Sequence, residues 1–216
     1  MDYAAARRNM VESQLRPNKV TNPALLDALA AVPRELFVPA ALRGVAYVDE
    51  DIPLGRGRFL MEPMILGRLL ELAAVRPSDV ALVVGAGIGY SAAVLARIAG
   101  RVVALESDQE LAQRAAQTLQ GLGVANVALV ESPLADGAAR LAPFDVILLD
   151  GAADRVPPAI IDQLAESGRL VAVIRAAGIG QATLMTRQAG ILASRVAFDA
   201  AVPRLPGLEP AAAFVF

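Results

Sequence analysis

Val80-Ala81-Leu82-Val83-Val84 runs directly into Gly85-Ala86-Gly87-Ile88-Gly89-Tyr90-Ser91. Five apolar residues closed by glycines on alternate positions describe a short strand, buried on both faces, that breaks into a tight turn. The alanine-rich stretch at 92–98 then predicts a helix. Strand, glycine turn and helix in succession let backbone approach a ligand closely, and the helix start offers free N–H groups. Glu106 closes the next apolar run, about 20 residues on, where a carboxylate can accept hydrogen bonds from both ribose hydroxyls of a nucleoside.

Two cofactor classes use such a loop. The dinucleotide fingerprint G-x-G-x-x-G needs a glycine where this chain has Tyr90. The G-x-G-x-G spacing of Gly85, Gly87 and Gly89 is instead that of S-adenosylmethionine-binding loops. A plain strand-to-helix turn would use the same glycines, so spacing alone leaves both readings open.

Downstream the alternation continues. Strands are predicted at 102–105, 127–130, 146–149 and 170–174, with helices at 110–122 and 157–164. Short apolar runs separated by helices indicate an α/β fold with a doubly wound, mostly parallel sheet. The runs at 183–186, 195–198 and 212–216 have no long helix between them, which predicts an antiparallel C-terminal edge. Upstream, the composition is helical at 3–15, and Asn22-Pro23 supplies a cap and a first-turn proline for a second helix. Residues 47–63 read as an irregular loop, and a helix from Pro63 reaches about Val75. The expected organisation is a helical N-terminal extension with its loop, residues 1–62, on the α/β domain, residues 63–216, as one structural unit.

Composition narrows the chemistry. The 216 residues include no cysteine and no histidine, which removes thiol nucleophiles, imidazole bases, disulfides and His- or thiolate-held metals. A net charge of −2 argues against binding nucleic acid through overall charge. The uncharged run between Asp79 and Arg97 falls short of the roughly 18 residues a membrane helix needs, and glycines sit in its middle. No apolar leader follows Arg7-Arg8. These features predict a cytoplasmic protein without membrane or metal partners. Asp49, Glu50 and Asp51 point in different directions as neighbours and read as a solvated loop.

Met10-Val11-x-x-Gln14-Leu15, Val32-Pro33-Arg34-Glu35-x-Phe37-Val38-Pro39, Pro53-Leu54-Gly55-x-Gly57 and the glycine loop with Tyr90 together resemble the protein-L-isoaspartate O-methyltransferase family. Ala142-Pro143-Phe144-Asp145, Gln163-Leu164 and Gly168-Arg169-Leu170 continue the match. The resemblance implies a Rossmann-like class I methyltransferase, S-adenosylmethionine as cofactor, and an isoaspartyl carboxylate in a protein or peptide as acceptor. By the same resemblance, cofactor contacts fall on Phe59, Leu60, Met61, Gly85, Ala86, Gly87, Tyr90, Glu106, Ser107, Ser132, Pro133, Leu134 and Asp150. Arg56 and Arg58 could receive a substrate carboxylate through paired N–H groups, or form only a solvated basic turn. Asp150 reads equally as a cofactor-facing carboxylate or a helix cap.

Three departures accompany the match. Met61 stands where the family carries an active-site serine, with Phe59 in place of a threonine, so no catalytic side chain is assigned. Val83 replaces an acidic residue, and Glu131-Ser132-Pro133-Leu134 replaces a Gly-Asp-Gly turn on the adenine side. The alternatives are a divergent methyltransferase with another acceptor and a non-catalytic S-adenosylmethionine-binding or scaffold protein.

Overall fold

The computed structural model describes residues 1–175 and 178–208. Helix α1 (Tyr3–Met10) starts on the Asp2 side chain, which accepts the Ala5 N–H, and continues as a wider π-helical stretch over Val11–Leu15. Helix α2 (Pro23–Ala31) begins where Asn22 accepts the Leu25 N–H, and buries Leu25, Leu26, Ala28 and Leu29. The loop predicted at 47–63 is corrected in part. Strands β1 (Ile52–Gly55) and β2 (Arg58–Leu60) pair antiparallel around a turn in which Gly55, Arg56 and Gly57 all have positive φ. Because strand side chains alternate, the buried row reads Ile52, Leu54, Arg58 and Leu60, and one arginine is driven inward. The neighbouring carboxylates serve the start of helix α3 (Pro63–Ala73): Asp51 accepts the Glu62 N–H and Asp49 the Met64 N–H.

Seven strands form the main sheet. They are β3 (Val80–Val84), β4 (Arg101–Glu106), β5 (Val127–Glu131), β6 (Phe144–Ala153), β7 (Leu164–Ile174), β8 (Gln181–Gln188) and β9 (Ile191–Asp199). Their spatial order is β5-β4-β3-β6-β7-β8-β9. The first five in sequence pair parallel, and β8 and β9 add antiparallel at one edge. Helices α4 (Tyr90–Leu95), α5 (Gln109–Gly121) and α6 (Pro158–Asp162) lie in the crossovers. The strand predicted at 212–216 lies outside the described residues.

Residues on successive strand positions fall into two cores, one on each face. Val83, Ala104 and Leu148 join Met10, Leu15, Leu29 and Phe37 of the N-terminal helices. Leu82, Val103, Leu105 and Ile147 face Phe144, Ile160 and Leu205 on the other side. The N-terminal extension therefore shares a core with the sheet. Strand β3 pairs with β4 on one side and β6 on the other, so strand order reverses at its carboxyl end. In open α/β sheets ligands bind in the crevice at such a reversal.

Candidate functional site

The glycine loop leaves β3 at that reversal. Gly85, Gly87 and Gly89 have φ of +81°, +56° and +94°, values that exclude most side chains. Both Gly85 and Ala86 donate to the Leu105 carbonyl at 2.9 Å, which fastens the loop to β4. Glu106, at the end of β4, is fully buried and carries a crowded set of donors. Its Oε2 accepts the Gly87 N–H at 2.7 Å and Arg58 Nη2 at 2.9 Å. Its Oε1 accepts the Ser107 and Asp108 N–H groups at 2.8 and 3.1 Å.

The remaining predicted contacts divide between two places. Ser107, Ser132, Pro133 and Leu134 line an open cleft of about 470 Å³ with Glu131, Pro206 and Gly207. Phe59, Met61 and Asp150 instead converge with Arg58 and the chain at 202–205 around a space of only about 10 Å³. Leu60 is buried in the core shared with the N-terminal helices. The Met61 side chain is buried too, and its carbonyl accepts Arg34 Nη2 at 2.7 Å. Tyr90 opens α4 directly after Gly89. Its ring is buried edge-on against Phe37 with the Arg34 guanidinium 4.9 Å from its centroid, because α4 turns that face into the core.

Asp150 lies within β6 and accepts the Ser91 hydroxyl. It caps no helix, since the residue preceding α6 is Pro157. Burial raises its carboxyl to about 6, against the opposing effects of Ser91, Arg58 and Arg34. The two arginines separate. Arg56 is exposed and pairs with Glu110 at 2.6 Å and Asp108 at 3.3 Å. Arg58 is buried on Glu106, which corrects the solvated-turn reading for that residue. Its neighbour in the buried row of β2 is the signal that sequence offers: alternation after a tight turn puts residue 58 inside. Leu205, which covers the glycine loop, had no such signal.

A doubly wound sheet with a glycine loop on its central strand and a carboxylate closing the next is a Rossmann-like domain of the class I methyltransferase kind. The family model for protein-L-isoaspartate(D-aspartate) O-methyltransferase (PCMT) matches residues 6–199. A protein-L-isoaspartate O-methyltransferase of Methylorubrum extorquens is 43% identical over 192 residues, 88% of this chain and 82% of the relative. One from Koribacter versatilis is 38% identical over 190 residues, 88% of this chain and 86% of the relative. A solved protein-L-isoaspartate O-methyltransferase shares the fold at a TM-score of 0.81 and 22% identity, covering 94% of this chain and 67% of that one. The chain belongs to the protein-L-isoaspartate(D-aspartate) O-methyltransferase family.

The groups present suit a nucleoside cofactor: a buried carboxylate acceptor, bare backbone at Gly85, Gly87 and Gly89, and a cleft beside them. The space above the loop is held by the side chains of Arg58 and Leu205. A Cβ placed on Gly85 would stand 2.6 Å from Arg58 Nη2 and 2.7 Å from Leu205 Cδ2. Among the described residues no group of histidine, cysteine, aspartate and glutamate is arranged to hold a metal, and no helix is long and apolar enough to cross a membrane.

Proposed function

We propose that the chain methylates the free α-carboxylate of isoaspartyl residues in damaged proteins, in the cytoplasm, with S-adenosylmethionine as donor. The observation that carries this is the family match across 6–199 combined with Glu106 standing at the end of β4 beside the glycine loop. The chemistry agrees with the composition. A carboxylate is ionised at neutral pH and is itself the nucleophile, so no side chain has to remove a proton and the absent histidine costs nothing. Bound S-adenosylmethionine supplies a methyl group already activated on a sulfonium.

The protein's part is then alignment and exclusion of water. Glu106 would accept the ribose hydroxyls, the Gly85–Gly89 backbone would lie against the cofactor, and Ser107, Ser132, Pro133 and Leu134 would wall the base. Met61 offers a thioether in place of a hydroxyl, and so no donor toward the acceptor. The test is transfer of a radiolabelled methyl group to an isoaspartyl peptide, with the matching aspartyl peptide as control. Base-labile label on the isoaspartyl peptide alone is expected, and Met61→Ser should raise it by up to about tenfold, the worth of one added hydrogen bond. Absence of label with both parent and variant would sink the reading.

A further inference from the structure

The ribose side of the crevice, at Glu106 and the glycine loop, is closed by the chain itself, from two directions. From the hairpin, Arg58 reaches Glu106 with a side chain only 4% exposed. Its Nη2 shares Glu106 Oε2 with the Gly87 N–H, so a guanidinium donor stands where a ribose hydroxyl would donate. From the other side, the segment at 202–208 crosses the end of β6. Ala152 donates to the Pro203 carbonyl and Leu205 donates to the Ala152 carbonyl, both at 2.8 Å. This ladder sets the buried Leu205 side chain over Gly85 and Gly151, where an added Cβ would lie within 2.8 Å of it. The space left among Arg58, Met61, Asp150 and Leu205 is about 10 Å³, room for about one water and nothing larger.

The closed arrangement is imperfectly satisfied. Among the described residues, Arg58 Nε and Nη1 are buried with no hydrogen-bond partner. Burying unpaired donors is costly, and a guanidinium regains its full hydration on leaving. Glu106 needs Arg58 less than Arg58 needs Glu106, because three backbone N–H groups stay on the carboxylate when the guanidinium goes. A cation at that position would also oppose a sulfonium brought into the crevice.

We propose that Arg58 and the Leu205 segment form a gate: Arg58 occupies the nucleoside's hydrogen-bonding place on Glu106, and cofactor enters only after Arg58 swings out and Leu205 lifts from Gly85. This rests on the reading of Glu106 and the glycine loop as the nucleoside site. A gate that is open only a fraction of the time weakens apparent affinity by that fraction, so removing it tightens binding without a new contact.

The test titrates S-adenosylhomocysteine, which cannot react, into the full chain by calorimetry, comparing the parent with Arg58→Ala and Leu205→Ala. Arg58→Ala is expected to bind at least about tenfold more tightly, as for a parent open about a tenth of the time, and Leu205→Ala to shift the same way by less. In stopped flow the parent's binding rate should level off with ligand concentration at the opening rate, and that of Arg58→Ala should keep rising. If circular dichroism shows Arg58→Ala unfolded, Leu205→Ala, which keeps the ion pair, decides in its place. Equal or weaker affinity in the variant, with a parent that binds, overturns the gate alone. No binding by parent or variants up to millimolar ligand overturns the nucleoside reading and the gate with it.

Discussion

The two halves of the sheet's carboxyl edge are built from different materials. Beyond β4 and β5, Ser107, Ser132, Pro133 and Leu134 leave a cleft of about 470 Å³, which Glu131, Pro206 and Gly207 also line. Beyond β3 and β6, a buried ion pair and a leucine fill the crevice to about 10 Å³. The open half is walled by the turns that follow β4 and β5, with Pro206 and Gly207 at its rim. The closed half is assembled from the hairpin, β4 and the segment at 202–208, and stays shut only while charge is matched to charge. A ligand spanning both would find one half preformed and would have to displace protein groups from the other.

The strongest way to break this contrast is to unbalance the ion pair. Glu106→Gln swaps one acceptor oxygen for an amide donor, leaves two buried N–H donors without an acceptor and should cost about 3–5 kcal/mol of stability in chemical denaturation. Arg58→Ala should cost clearly less, because Gly87, Ser107 and Asp108 continue to donate to Glu106. The reverse ranking would mean that the guanidinium, not the backbone, holds the carboxylate. Next comes crowding. Gly85→Ala combines a φ of +81° with clashes on Arg58 and Leu205, and should cost about 2–4 kcal/mol. Gly123→Ala has φ +68° but nothing within 4 Å, and should cost about 1–2 kcal/mol. Equal losses in melting temperature would say the space over Gly85 is not filled.

A smaller effect is visible in pH. The Asp150 carboxyl is raised from 3.8 to about 6, so between those values the folded protein holds a proton that the unfolded chain has released. Stability from this group is complete below about pH 4 and is lost as pH rises through 6. Asp150→Asn removes the loss, so its stability relative to the parent should grow from pH 4 to 6 and then level. Parallel urea curves across that range would show that Asp150 is not desolvated. Smallest of all, Ser132→Ala in the open half should leave stability within about 0.5 kcal/mol and weaken S-adenosylhomocysteine binding by no more than about tenfold. A large stability loss there would erase the difference between the halves.

Part of the open half follows strand ends that the sequence pattern marks, Ser107 after Glu106 and Ser132 to Leu134 after β5, whereas Pro206 and Gly207 come from a segment with no such signal. The closed half was half legible. The glycines and Glu106 are local features, but the segment at 47–63 hides a hairpin behind glycines, prolines and charges, and Arg58 on its buried row looks like any turn arginine. The direction of the Tyr90 ring was hidden for a related reason, since position in a loop motif does not say toward which side a ring turns.

Sequence by itself determined the alternating strands and helices, the glycine turn with its positive φ values, the carboxylate at the end of β4 and the family to which the chain belongs. Each of these is set by period, by glycine's freedom, or by motifs a few residues long. Only the tertiary structure decided that Arg58 closes on Glu106, 48 positions away, and that Leu205 returns across β6 to cover Gly85. Those contacts follow from which surfaces the folded sheet leaves next to one another, and no local pattern in the chain encodes that adjacency.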